Sequence, residues 1–151
     1  MPDLTEIVID RKVLDSFKRR ALKLYPREFM EQLVGKIAGN QVHLYAFRDL
    51  EHKATRYEVV IDEDLEPMTE GDDERRYQIL GTIHTHPQAT IEPSDLDWET
   101  MARDDELIMG ICAIRKTSKR RFVSFAFYSG GRTQLQLTVS EAVAAAMSAK
   151  A

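Results

Sequence analysis

Cysteine is almost missing from this chain: Cys112 is the only one among 151 residues. A lone thiol cannot close an intrachain disulfide, and it excludes zinc sites built from several thiolates. Long apolar runs are missing too. No stretch approaches the roughly 18 apolar residues needed to cross a bilayer, and the chain does not open with the blocks of a signal peptide. These absences lead to the expectation of a soluble, cytoplasmic protein with no membrane partner. Excess positive charge is also lacking: 21 Lys and Arg stand against 25 Asp and Glu, a net charge of −4. That sign is wrong for a dedicated nucleic-acid binder, so no nucleic-acid partner is expected. Internal repeats and a break between domains are absent as well. With 43% hydrophobic residues, residues 1–151 suit one domain that buries roughly 70% of its unfolded surface.

What the chain does have is concentrated in residues 81–97, GTIHTHPQATIEPSDLD. His84 and His86 are two apart, so on a strand both side chains leave the same face and their ring nitrogens can converge on one ion. Pro87 ends that strand. After a loop, Ser94 stands at the N-cap of a helix with Asp97 one turn in, which returns a carboxylate to the strand end. Two imidazoles and one carboxylate form a tetrahedral zinc site whose fourth position is left to water, the catalytic pattern rather than the structural one. Each half alone has an ordinary reading, because HxH is common and SxxD is a capping box. Together they have none so simple. No helix cap needs two histidines on the incoming strand, and no buried histidine needs a carboxylate thirteen residues on.

His84, His86, Ser94 and Asp97, spaced as HxH, seven residues, then SxxD, resemble the signature of the JAMM (MPN+) metalloproteases. That family also carries an upstream glutamate in a segment similar to PxExxGLLxG. Pro26, Glu28, Leu33 and Gly35 stand at those positions here, with Glu31 and Gln32 in place of the usual Gly and Leu. By itself Glu28 is an ordinary solvated carboxylate beside a strand; the resemblance makes it the catalytic candidate.

Taken in order, residues 6–9 suit a strand and Asp10 the cap of a helix whose Val13, Leu14, Phe17, Ala21 and Leu24 recur at core-facing spacing. Pro26 turns Tyr25 away from the helical region and ends it. Residues 33–38 and 42–47 flank Gly39-Asn40, a hairpin signal. Another strand is predicted over 55–61. His43 and His52 lack a partner at ligand spacing and are read as surface or strand-face residues. Over 62–74, eight of thirteen residues are Asp or Glu, which by charge alone is a solvated connector. It leads into the strand 77–84 that delivers the histidines. After Asp97 the helix is expected to run to about Arg103, burying Leu96, Trp98 and Met101, with Asp104 and Asp105 at its end. Strands over 107–114, 122–128 and 134–139 follow. Arg115, Lys116, Lys119, Arg120 and Arg121 form a basic turn, taken as a solvated hairpin tip because no aromatic residue is interleaved there. Ser140 is placed as the cap of a last Ala-rich helix, and Cys112 as a small core residue. Strands outnumber helices, giving an α+β domain with a mixed, curved sheet packed between helices; the JAMM resemblance implies the same architecture.

Zinc held by His84, His86 and Asp97, one ion per chain, would lower the pKa of a bound water toward about 7. Glu28 would act as base and proton shuttle. Ser94 would donate to the oxyanion, the role the family gives that position, while its lone pair caps the helix. The resemblance further implies an isopeptidase acting after the C-terminal Gly-Gly of a ubiquitin-like protein, as in the small free-standing prokaryotic members, and an insertion at 62–74 that contacts the substrate tail. C-terminal processing of a sulfur-carrier protein would use the same residues. A non-catalytic MPN scaffold is disfavoured by the complete residue set. A DNA-repair relative carrying HxHPSG is disfavoured because Pro87-Gln88-Ala89 follows His86. The oligomeric state is left open.

Overall fold

Alternation organises the first element: in β1 (Glu6–Asp10) Ile7 and Ile9 are fully buried while Glu6, Val8 and Asp10 are partly exposed. The computed structural model describes residues 3–49, 78–86 and 90–141. Asp10 then caps α1 (Arg11–Leu24), its carboxylate accepting the Lys12 amide at 2.8 Å. Leu14, Phe17 and Ala21 form the buried stripe, with Val13 and Leu22 packing beside it. The helix stops at Tyr25, whose ψ of 135° is extended as a residue before proline requires.

Two antiparallel strands follow, β2 (Met30–Ala38) and β3 (Gln41–Asp49), joined at Gly39-Asn40. Gly39 has φ +64°, a conformation that glycine adopts without the clash of a Cβ. β4 (Gln78–His86) pairs antiparallel with β2. α2 (Asp95–Arg103) leads to β5 (Ile108–Lys116), parallel to β4. β6 (Arg121–Ser129) and β7 (Gln134–Ser140) complete the set. The strand order is β1-β3-β2-β4-β5-β6-β7, and β7 returns parallel to β1 so that the sheet closes into a barrel. The α+β class with a mixed sheet is the one expected, and its curvature is carried to closure. Register shifts in β2 at Leu33/Val34 and Val34/Gly35 mark bulges that bend the sheet. At Gly81 the neighbouring strand is so close that a Cβ would lie 1.8 Å from the Ile108 carbonyl oxygen.

Phe17 centres the main core, its ring 5.3 Å from Phe29, 5.1 Å from Phe47 and 6.0 Å from Phe125. Cys112 is fully buried in this core, and burial pushes its thiol pKa up to about 12, which makes it an inert core residue. A second cluster of Ile111, Ala126 and Tyr128, with Ile91 and Trp98 against it, lies apart from the main core. The glutamate and glutamine that interrupt the family's Gly and Leu are accommodated within β2. Glu31 is buried and accepts two hydrogen bonds from Arg20, at 2.7 and 2.8 Å, while Gln32 accepts from Arg48 at 3.2 Å.

Two expectations are corrected. Leu96 is not buried: it is 67% exposed, because α2 packs through Met101 and Trp98, and Leu96 points to another side of the helix. The histidine strand continues through His86 rather than stopping at His84, since β5 pairs with it that far. The basic tip itself (117–120) holds no aromatic residue; Phe122, the second residue of β6, lies beside it, 4.6 Å from each of the Arg115 and Arg120 guanidinium groups. Ser140 ends β7. The predicted strand 55–61, His52, the acidic run 62–74, Pro87 and the final Ala-rich helix lie outside the described residues.

Candidate metal centre

The two histidines stand at the C-terminal end of β4, where alternation sends both to one face. Their Nε2 atoms approach to 2.9 Å. Asp97 meets them from the first turn of α2, with Oδ2 3.4 Å from His84 Nε2 and 3.6 Å from His86 Nε2. Ligand atoms on a tetrahedron of ~2.0 Å bonds are about 3.3 Å apart, and the three observed separations, 2.9, 3.4 and 3.6 Å, fall on either side of that spacing. All three are partly buried, and their ligand atoms lie within 4.8 Å of one another. His43, by contrast, bonds to Gln41 on β3 and is no part of this group.

Ser94 fixes the carboxylate. Its amide donates to Asp97 Oδ2 at 2.9 Å and the Asp97 amide donates back to Ser94 Oγ at 3.1 Å, a complete capping box. Burial opposes the charge of Asp97, but the Ser94 amide bond and the nearby His84 outweigh it and hold the carboxyl below its ordinary pKa. Burial also lowers the pKa of His84, against the pull of Asp97, which favours the neutral imidazole that a metal requires.

Glu28 precedes β2 on the other side of the pair. Phe29 and Thr85 exchange bonds, the Phe29 amide to Thr85 Oγ1 at 2.9 Å and the Thr85 amide to the Phe29 carbonyl at 3.1 Å. Phe29 packs against the core, and Met30 is paired with His84, so Glu28 is carried to the metal side. It lines a groove of about 370 Å³ with His84, Asp97, Met30, Leu96 and Met109. The exposed Leu96 thus has a place at the site that a purely packing argument missed.

Fold and site decide the family together with one further finding. The model of the family described as prokaryotic homologs of the JAB domain matches residues 10–126. The chain belongs to this family. Its JAB domain superposes on a JAB1/MPN domain protein from Archaeoglobus fulgidus with a TM-score of 0.57 at 18% identity, covering 91% of this chain and 97% of that one. A structure described as a JAMM metalloprotease-like zinc site in the proteasome and signalosome gives 0.55 at 19%, covering 91% and 99%. A protein from Desulfitobacterium hafniense solved in solution gives 0.55 at 14%, covering 89% and 93%. At these identities the likeness is one of fold. No curated protein matches the chain in sequence.

Other residues of this JAB domain enter the site without having been marked by any motif. His86 Nδ1 lies 3.1 Å from the Thr90 carbonyl oxygen, and Tyr128 Oη donates to the Ile91 carbonyl at 2.8 Å. Glu106, just past α2, accepts the Thr82 hydroxyl at 2.6 Å and ties that end of the helix connection to β4. These residues lie far from the HxH run in sequence or are of common type, so no spacing rule could have selected them.

Proposed function

We propose that this JAB-family protein is a zinc-dependent peptidase that hydrolyses the bond after the C-terminal Gly-Gly of a ubiquitin-like protein, an isopeptide bond to lysine in the first instance. The observation that supports it best is the position of Glu28: a carboxylate outside the His84, His86, Asp97 set that lines the same groove as His84 and Asp97. A scaffold has no need of that fourth group. Zinc held by His84, His86 and Asp97 would supply a water acidic enough to attack at neutral pH. Glu28 takes the proton from the attacking water and delivers it to the departing amine, so the amide C–N bond breaks and a neutral amine leaves. Ser94 Oγ accepts the Asp97 amide through a lone pair, and its own hydrogen stays available to the developing oxyanion. Met30, Leu96 and Met109 give the groove an apolar lining beside these polar groups.

The test is hydrolysis of a purified ubiquitin-like protein carrying either an isopeptide-linked lysine peptide or a linear extension after Gly-Gly, with zinc content measured on the same sample. Glu28→Gln should retain zinc and lose at least ~10²-fold in kcat. Cleavage of the linear extension alone would assign the protein to C-terminal processing of a sulfur carrier. Full zinc with neither product cut would leave a metal-binding scaffold.

A further inference from the structure

A metal-binding histidine is only as well placed as the bond on its second ring nitrogen. At His86 that bond goes to the Thr90 carbonyl, 3.1 Å from Nδ1. A carbonyl can only accept, so the contact requires hydrogen on Nδ1 and leaves the Nε2 lone pair facing His84 and Asp97. Thr90, however, sits in the connection between β4 and α2, outside every sheet ladder. Something must hold it.

Tyr128, on the buried part of β6, supplies that hold. Its hydroxyl donates to the carbonyl of Ile91, the residue after Thr90, at 2.8 Å. Its ring meets Trp98 edge-on at 5.6 Å, and Ile91 and Trp98 both pack on the cluster that Tyr128 forms with Ile111 and Ala126. Trp98 follows Asp97 directly on α2. One small cluster, separate from the main core, therefore grips both the loop that orients His86 and the helix that carries Asp97. Burial raises the Tyr128 pKa, with Glu92 adding to the effect, so the phenol stays a donor at neutral pH.

We propose that Tyr128 is a positioning residue for the metal centre: through Ile91 it fixes the Thr90 carbonyl, and through Thr90 it holds His86 in the tautomer and orientation that present Nε2. The proposal rests on the zinc-site reading for its consequence but not for its geometry. The Thr90 carbonyl is the partner one shell beyond the metal, a position typically worth roughly 10–100-fold in affinity, and Tyr128 acts one contact further out.

Tyr128→Phe keeps the ring against Trp98 and deletes only the hydroxyl. Zinc affinity, measured by competition with a chromogenic chelator, should weaken several-fold, up to about the 10-fold at the low end for a direct outer-shell partner. Long-range 1H–15N spectra of the metal-free protein should show His86 dominated by the Nδ1–H form in the wild type and a mixture of tautomers in the variant. Phe127→Leu, one residue away but in the main core, is the control for simple loss of stability; it should lower the melting temperature and leave zinc affinity and the His86 tautomer unchanged. Wild-type affinity and a wild-type His86 signature in Tyr128→Phe would overturn the proposal, and so would an equal loss of affinity in Phe127→Leu. A wild-type protein that takes no zinc would instead remove the hydrolase reading, while the tautomer measurement would still decide the role of Tyr128.

Discussion

Asp97 does two things with one carboxylate, and we propose a second task for the Ser94 hydroxyl beside its capping bond. Asp97 Oδ2 accepts the Ser94 amide and also faces both histidines. Removing it takes away the one candidate ligand of the three that does not come from β4. Asp97→Ala should therefore abolish stoichiometric zinc binding, read by atomic absorption, since three ligands leave no redundancy. Asp97→Asn keeps an acceptor for the capping box, so its helix should survive while zinc is lost; zinc retained in both variants would remove the assignment. Ser94→Ala should show two separable effects. Loss of the cap costs about 1 kcal/mol in chemical denaturation, and loss of an oxyanion donor lowers kcat by ~10²-fold. A stability loss with unchanged kcat would leave Ser94 with its structural task alone.

At the scale of elements, the site depends on how closely β4 lies against β5 and how α2 is tied to β4. The close approach at Gly81 leaves no room for a methyl group, because its carbon would fall 1.8 Å from a backbone oxygen that cannot move without breaking the ladder. Gly81→Ala should unfold the protein or lower its melting temperature far more than an ordinary surface change, and a wild-type melting curve would contradict the strand spacing. Glu106 offers a subtler test. Burial raises its pKa above the ordinary 4.5, against the Thr82 hydrogen bond and with help from Asp104. Because the folded state keeps this proton to higher pH than the unfolded state does, the contribution to stability is fully present below the unfolded pKa. It is lost as pH rises through the folded value. Glu106→Gln keeps an acceptor for Thr82 and removes the charge. In metal-free protein it should melt higher than wild type at pH 7, with the difference shrinking as pH falls toward 4.5. A difference that did not vary with pH would show that ionisation of Glu106 carries no cost.

For the molecule as a whole, charge is distributed unevenly along the chain. The acidic run at 62–74 holds eight carboxylates in thirteen residues and precedes the histidine strand, and we expect it to attract the basic flank of a ubiquitin-like substrate. Replacing Glu70, Asp72, Asp73 and Glu74 with Asn or Gln should raise KM and leave kcat nearly unchanged. The salt dependence of kcat/KM should flatten too, since exposed charges are screened over about 8 Å at physiological ionic strength. Identical KM values and salt slopes would make the run a solvated connector.

The grouping of His84, His86 and Asp97 was legible in the sequence because its parts are local: two histidines two apart on a strand, and a capped helix start within reach. Helix α1 was legible for the same reason, since Asp10, the Leu14, Phe17, Ala21 stripe and Pro26 each act within a few residues. Glu28 needed the family resemblance, because nothing near it in the chain distinguishes it from a solvated carboxylate. What the sequence could not express were relations between distant segments. Closure of the sheet depends on β7 returning beside β1, and periodicity within a strand does not name its neighbour. The exposure of Leu96 depends on which side of α2 meets β5 and β6, and hydrophobicity alone predicted the opposite. The link from Tyr128 through Ile91 to His86 spans two elements and a loop. The sequence by itself determined which atoms could bind a metal; the tertiary structure decided what holds them there, because that support is made of contacts between parts of the chain that come together only on folding.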